Sequence, residues 1–138
     1  MWEYQHSIET TATPQAVWRL WADVENWGVW NADIKKIELR GPFEAGSEIT
    51  MVPGDGEPVE LRLADVVENE RFADEARFGD LVLRTTHRVE PLGAGARVVY
   101  HMEISGPSAD AVGPEIGPAI TGDWPETMAA LVRLAEGR

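Results

Sequence analysis

The sequence predicts an α+β fold in which one antiparallel sheet packs a single face against a helix at the C-terminus. Three observations carry this. From Trp2 to Glu9, Trp, Tyr, His and Ile alternate strictly with Glu, Gln and Ser. A long middle section is rich in Val, Ile, Leu and Thr and is cut at short intervals by turn-forming glycine and proline. The last stretch carries apolar residues at steps of three and four.

In the N-terminal segment, Trp2, Tyr4, His6 and Ile8 fall on one side and Glu3, Gln5, Ser7 and Glu9 on the other, the period of a half-buried strand. Thr13 is placed to cap a helix with Pro14 at its first position, where a missing N–H costs nothing. Val17, Leu20, Trp21 and Val24 give that helix one apolar stripe. The run Asp23-Val-Glu-Asn26 then leads into a shorter helical piece bearing Trp27 and Trp30.

From Ile34 to Ser105 the pattern is strand and turn. The turns are Gly41-Pro-Phe-Glu-Ala-Gly46, Pro53-Gly-Asp-Gly56, Glu68-Asn-Glu70, Gly79-Asp80 and Gly93-Ala-Gly95. Connections this short join neighbouring antiparallel strands. They delimit six strands near 34–40, 47–53, 58–67, 70–78, 80–90 and 95–105, seven with the first. Leu81, Leu83, Thr85, His87 and Val89 share one face, as do Val98, Tyr100, Met102 and Ile104. One-sided alternation means the sheet is covered on a single face.

The cover is the final segment, where Ile116, Ile120, Trp124, Met128, Leu131 and Ala135 form a helical stripe. A regular helix is expected from about Asp123 to Glu136, with Asp123 and Glu126 at capping-box spacing and Pro125 in the first turn. Gly113, Pro114, Gly117 and Pro118 argue for an irregular or kinked helical stretch before it, readable either as a kinked lead-in or as a mobile gate over a cavity mouth.

The chain has 138 residues and a formal charge of −12, from 24 acidic and 12 basic residues. Such a field disfavours nucleic acid and anionic lipid surfaces as partners. With no cysteine there is no disulfide, zinc-thiolate site or thiol nucleophile. No apolar run approaches the roughly 20 residues of a membrane span, and the N-terminus lacks the pattern of a secretory signal. A cytoplasmic protein without membrane insertion, monomer or homodimer, is the expectation. Scattered histidines and few inward carboxylates predict no metal and no cofactor, Asp65 and Asp74 having no assigned facing.

The order strand, two short helices, six strands, long helix resembles the START-like (helix-grip) superfamily, in its polyketide cyclase/dehydrase (SRPBCC) branch. The residues that carry the likeness run through nearly the whole chain: Thr11 to Trp18 with Pro14, Asp23-Val-Glu-Asn-Trp27 with Trp30, Gly41-Pro-Phe43 with Gly46, His87-Arg-Val-Glu-Pro91, Ile104-Ser-Gly106, and Leu131 with Leu134-Ala-Glu136. The resemblance implies a seven-stranded curved sheet wrapped around the C-terminal helix, one ligand-binding domain over residues 1–138, and an elongated internal cavity. It does not choose among enzymes, carriers and interaction proteins, all of which use this fold.

Four of the six tryptophans lie between Thr13 and Asn31. Each indole buries a large area and needs a partner for one N–H, so the cluster walls either a core or a cavity. Trp18 and Trp21 are read as core, Trp27 and Trp30 as packing at the sheet rim. Candidate ligand contacts are Trp2, Tyr4, Trp27, Trp30, Leu83 and Thr85, together with Tyr100, Met102, Ile120, Trp124 and Met128. His6 and His87 are the candidate proton-transfer groups, since imidazole titrates near neutral pH. Tyr4, Thr85 or Tyr100 would hydrogen-bond a carbonyl oxygen. The function expected is binding of a hydrophobic, aromatic or polyketide-like molecule, with cyclisation or dehydration of a poly-β-keto chain if the protein is catalytic. A non-catalytic carrier or sensor is the alternative, and a chaperone-cofactor-like interaction protein ranks last.

Overall fold

A computed structural model describes residues 1–54 and 56–137. Of the expected turn Pro53-Gly-Asp-Gly56, Asp55 lies outside the described residues, as does Arg138. The elements in order are β1 (Trp2–Thr10), α1 (Pro14–Ala22), a short 3-10 helix (Val24–Val29), β2 (Ile34–Arg40), β3 (Glu48–Pro53) and β4 (Val59–Val67), followed by β5 (Arg71–Phe78), β6 (Leu81–Leu92), β7 (Gly95–Ser105), α2 (Ala109–Thr121) and α3 (Trp124–Ala135). Each expected strand is present, its ends displaced by at most two residues.

All seven strands form one antiparallel sheet in the order β1-β7-β6-β5-β4-β3-β2. The first strand therefore pairs with the last, Trp2 opposite Ile104 and His6 opposite Tyr100. Pairing is interrupted between Ile34 and Lys36 and between Leu63 and Asp65. Such irregularities increase local twist and bend the strand, which suits a sheet that curves around a helix. Asn69 takes the left-handed conformation (φ 63°) in the turn between β4 and β5, which its short polar side chain tolerates.

The Thr13 side chain accepts from the Ala16 N–H at 3.2 Å, so the first cap forms as read from sequence. From α1, Val17 and Trp21 are fully buried beside Ile49, Leu63 and Phe72 of the sheet and Met128 and Leu131 of α3. This is the main core, and it lies under the middle of the sheet. No helix among the described residues is long and apolar enough to cross a membrane.

Two expectations for the C-terminal segment need correction. The stretch Gly113 to Pro118 is not irregular, since α2 runs as a helix through Pro114 and Pro118. The carbonyls that lose a partner to these prolines belong to Asp110 and Pro114. Residues 110, 114 and 118 all lie on the exposed face of α2, where a carbonyl without a helix partner is not forced to stay unsatisfied. The opposite stripe explains the glycines. A Cβ on Gly113 would stand 2.5 Å from Cβ of Trp2, and one on Gly117 would stand 2.4 Å from the far edge of the Trp2 indole. Bare backbone at these two positions lets α2 lie directly on Trp2, so the segment forms a packed saddle.

The capping box at Asp123 and Glu126 also fails to form, because the Asp123 side chain makes no capping hydrogen bond. Gly122 is already helical (φ −62°, ψ −25°). The chain thus enters α3 without the extended residue a side-chain cap requires.

Candidate functional site

Between the sheet and the helices lies a cavity of about 520 Å³, well inside the range of small-molecule sites. Its floor is the inward face of β5 and β6, with Phe72, Asp74, Ala76, Leu83, Thr85 and His87. Tyr100 and Met102 of β7 continue that floor, and Met51, Val59 and Leu61 form the far wall. Trp27 and Trp30 close one side from the 3-10 helix, and Trp124 and Thr127 of α3 close another. Phe78 (48% exposed), Ile120, Asp33 and Asp123 surround the opening.

The polar groups in this apolar enclosure are few, and their states follow from their surroundings. His87 stacks flat on Phe72, ring centroids 4.0 Å apart at 5°, and meets the edge of Tyr100 at 4.5 Å. Its Nδ1 lies 3.3 Å from the Phe72 carbonyl oxygen. A carbonyl only accepts, so Nδ1 carries the hydrogen and Nε2 is left as an acceptor. Burial pushes the imidazole down to about 3, so it is neutral at physiological pH.

Tyr100 accepts a hydrogen bond from Trp21 Nε1 at 3.2 Å, which leaves the phenolic hydrogen available to a guest. Burial holds this phenol above its ordinary range.

Asp74 is the group without a match. It sits on the inward face of β5, opposite Leu63 of β4 and Thr85 of β6, and is 8% exposed. No hydrogen-bond or ion-pair partner for its carboxyl occurs among the described residues. Burial first, then the neighbouring Glu75, pushes it up to about 7.

Of the candidates read from sequence, His87, Leu83, Thr85, Tyr100 and Met102 come together on the cavity floor. Trp27, Trp30, Ile120 and Trp124 join them from the helices. Four others are placed elsewhere. Trp2 is covered by Gly113 and Gly117, and Tyr4 stacks on Trp2 at 6.2 Å and leans on Trp124 from outside. His6 stays on the edge strand opposite Tyr100, away from the cavity wall, and Met128 is fully enclosed in the core. All three of Trp2, Tyr4 and His6 lie on β1, an edge strand: α2 lies on Trp2 and Trp124 of α3 meets Tyr4, so facing inward there does not mean facing the hollow.

Asp74, Phe72, Met51, Leu61 and Asp123 were missed. For Asp74 a signal exists in Arg71-Phe-Ala-Asp-Glu-Ala-Arg-Phe78. Its parity matches Phe72, Ala76 and Phe78, while Arg71, Glu75 and Arg77 share the other face.

Comparison with known proteins agrees with this architecture. Norcoclaurine synthase from Thalictrum flavum, solved with dopamine and hydroxybenzaldehyde, superposes with a TM-score of 0.78 at 16% identity, over 99% of this chain and 87% of that one. A START superfamily protein from Mycobacterium smegmatis gives 0.77 at 14% identity, over 98% and 97%. A protein from Mesorhizobium loti gives 0.77 at 17%, over 98% and 97%. At these identities the likeness establishes the fold alone. No curated protein matches the chain in sequence. The family model described as polyketide cyclase / dehydrase and lipid transport matches residues 1–136. With the START-like sheet and its gripping C-terminal helices, the chain belongs to the polyketide cyclase/dehydrase and lipid-transport family.

Proposed function

We propose that this protein binds a hydrophobic small molecule, aromatic or polyketide-like, in the cavity between β5, β6 and α3. The observation that carries the reading is the cavity itself: about 520 Å³, walled by Trp27, Trp30, Phe72, Tyr100 and Trp124, with isolated polar groups on its floor. Apolar walls with a few placed polar groups are the general form of small-molecule sites. The norcoclaurine synthase structure, solved with dopamine and hydroxybenzaldehyde, supports an aromatic guest in this fold.

Native mass spectrometry of freshly purified protein, with titration by 2-naphthol, tests this. A co-purifying mass or a saturable, one-to-one change in tryptophan fluorescence is expected. Absence of both removes the proposal.

A second reading, cyclisation or dehydration, is favoured by the proton-transfer groups on the floor. A base takes a proton from the carbon between two ketones, and the resulting enolate carbon forms a bond to a second carbonyl carbon. The proton then passes to the new alkoxide, and loss of water completes a dehydration. Asp74, held up to about 7, is better matched to accept that proton near neutral pH than His87, a weak base held down to about 3. The Tyr100 hydroxyl is free to donate to the enolate oxygen. Cyclisation of a β-triketide thioester faster with the protein than without supports this reading, and equal rates leave the protein a carrier.

A further inference from the structure

We infer that the guest carries a protonated amine held against Asp74, so that the ligand class is an apolar aromatic amine and not an acid. The inference rests on the binding reading above and uses Asp74 as a counter-charge, not as a catalytic base.

Asp74 is 8% exposed, lines the cavity and is unpaired among the described residues. A buried carboxyl of this kind stays neutral or waits for a cation, because an unpaired charge in an apolar site carries an uncompensated desolvation penalty. The rest of the wall points to the cation. Every charged side chain among the described lining residues is a carboxylate: Asp74 on the floor, Asp33 and Asp123 at the opening. No lysine or arginine is among them. Asp33 adds to the forces that raise the Asp123 carboxyl, burial being the larger, so the opening is itself a site of concentrated negative charge. The net charge of −12 extends that field over the whole chain. Trp30, Trp124 and Tyr100 line the cavity, aromatic rings of the kind that further stabilise an ammonium. An anionic guest, such as a fatty acid, meets like charge at the entrance and again on the floor.

The groups facing Asp74 leave its titration to dominate. Across β6 stand neutral His87 and Thr85, from β7 the un-ionised Tyr100, and at the opening Asp33 and Asp123. Glu75, on the other face of β5, is held by Arg84 at 3.0 Å. A cationic guest needs Asp74 ionised, so its affinity rises with pH through neutrality.

The test uses three probes with one ring system: 2-naphthylmethylammonium, 2-naphthylmethanol and 2-naphthoate, titrated by calorimetry. At about pH 8 the ammonium should bind about tenfold or more tighter than the alcohol, and the naphthoate weakest. The ratio of ammonium to alcohol affinity should shrink toward about pH 5.5 and fall to near unity in D74N. Alcohol or naphthoate binding as tightly as the ammonium overturns the inference while leaving the cavity a binding site. So does a ratio unchanged in D74N, or, should that variant not fold, a ratio flat with pH in the native chain. Failure of all three probes to bind overturns the binding reading, and this inference with it.

Discussion

Trp21 donates its indole N–H to the Tyr100 hydroxyl at 3.2 Å, across the interior from α1 to β7. Both side chains are buried, Trp21 completely. The bond therefore fixes the helix against the sheet and the orientation of the phenol at the cavity floor.

Removing that hydroxyl leaves the Trp21 N–H without a partner in a dry interior. Y100F should destabilise the fold by about 1–3 kcal/mol in chemical denaturation, with near-ultraviolet circular dichroism reporting a changed indole environment. Full stability in Y100F would mean that Trp21 finds another acceptor.

Asp74 makes stability fall as pH rises. Its carboxyl titrates near 3.8 when unfolded and near 7 when folded, so between these values the folded chain holds a proton that the unfolded chain has lost. The contribution is complete below about pH 4 and is lost as pH climbs through 7. D74N carries no such loss. It should be more stable than the native chain at about pH 8, by roughly 2–4 kcal/mol, and the gap should close as pH falls toward about 4. A gap constant with pH would refute the titration.

His87 acts with the opposite slope. Its ordinary value of 6.5 falls to about 3 on folding, so the unfolded chain takes up a proton that the folded chain refuses. Its contribution is present above about pH 6.5 and lost as pH falls toward 3. Between about pH 4 and 6.5 the two groups therefore oppose each other, and D74N should unmask a steeper acid loss than the native chain shows. Adding H87L to D74N should flatten that loss. Thermal melts at matched pH values decide it.

The saddle of α2 on Trp2 gives a pair of variants with different cures. In G117A the new methyl meets the far edge of the indole, and in G113A it meets Cβ of Trp2. Both should destabilise, by about 1–3 kcal/mol as for overpacking. W2A removes the indole but keeps Cβ, so it should relieve G117A and leave G113A unrelieved. A double-mutant cycle reads this directly, and equal coupling at both positions would contradict the geometry.

The strands and their two faces could be read from residue order, because a side-chain period of two needs no knowledge of neighbours. The seven segments, the cap at Thr13 and the burial of Tyr100, Met102 and Ile104 all follow from such local rules. So did most of the cavity floor on β6 and β7. The resemblance carried the rest of the architecture, since motifs from Thr11 to Glu136 occur in the family's order.

What local rules do not contain is depth along a strand and the identity of what covers it. Trp2, Tyr4 and His6 face the same side as Tyr100, yet the glycine stripe of α2 closes over Trp2 while the sheet's curvature leaves open space above Asp74. The amino-acid order by itself determined which side of the sheet is inside. Only the tertiary structure decided where that inside is filled and where it is hollow, because volume is set by elements far apart in the chain meeting or failing to meet.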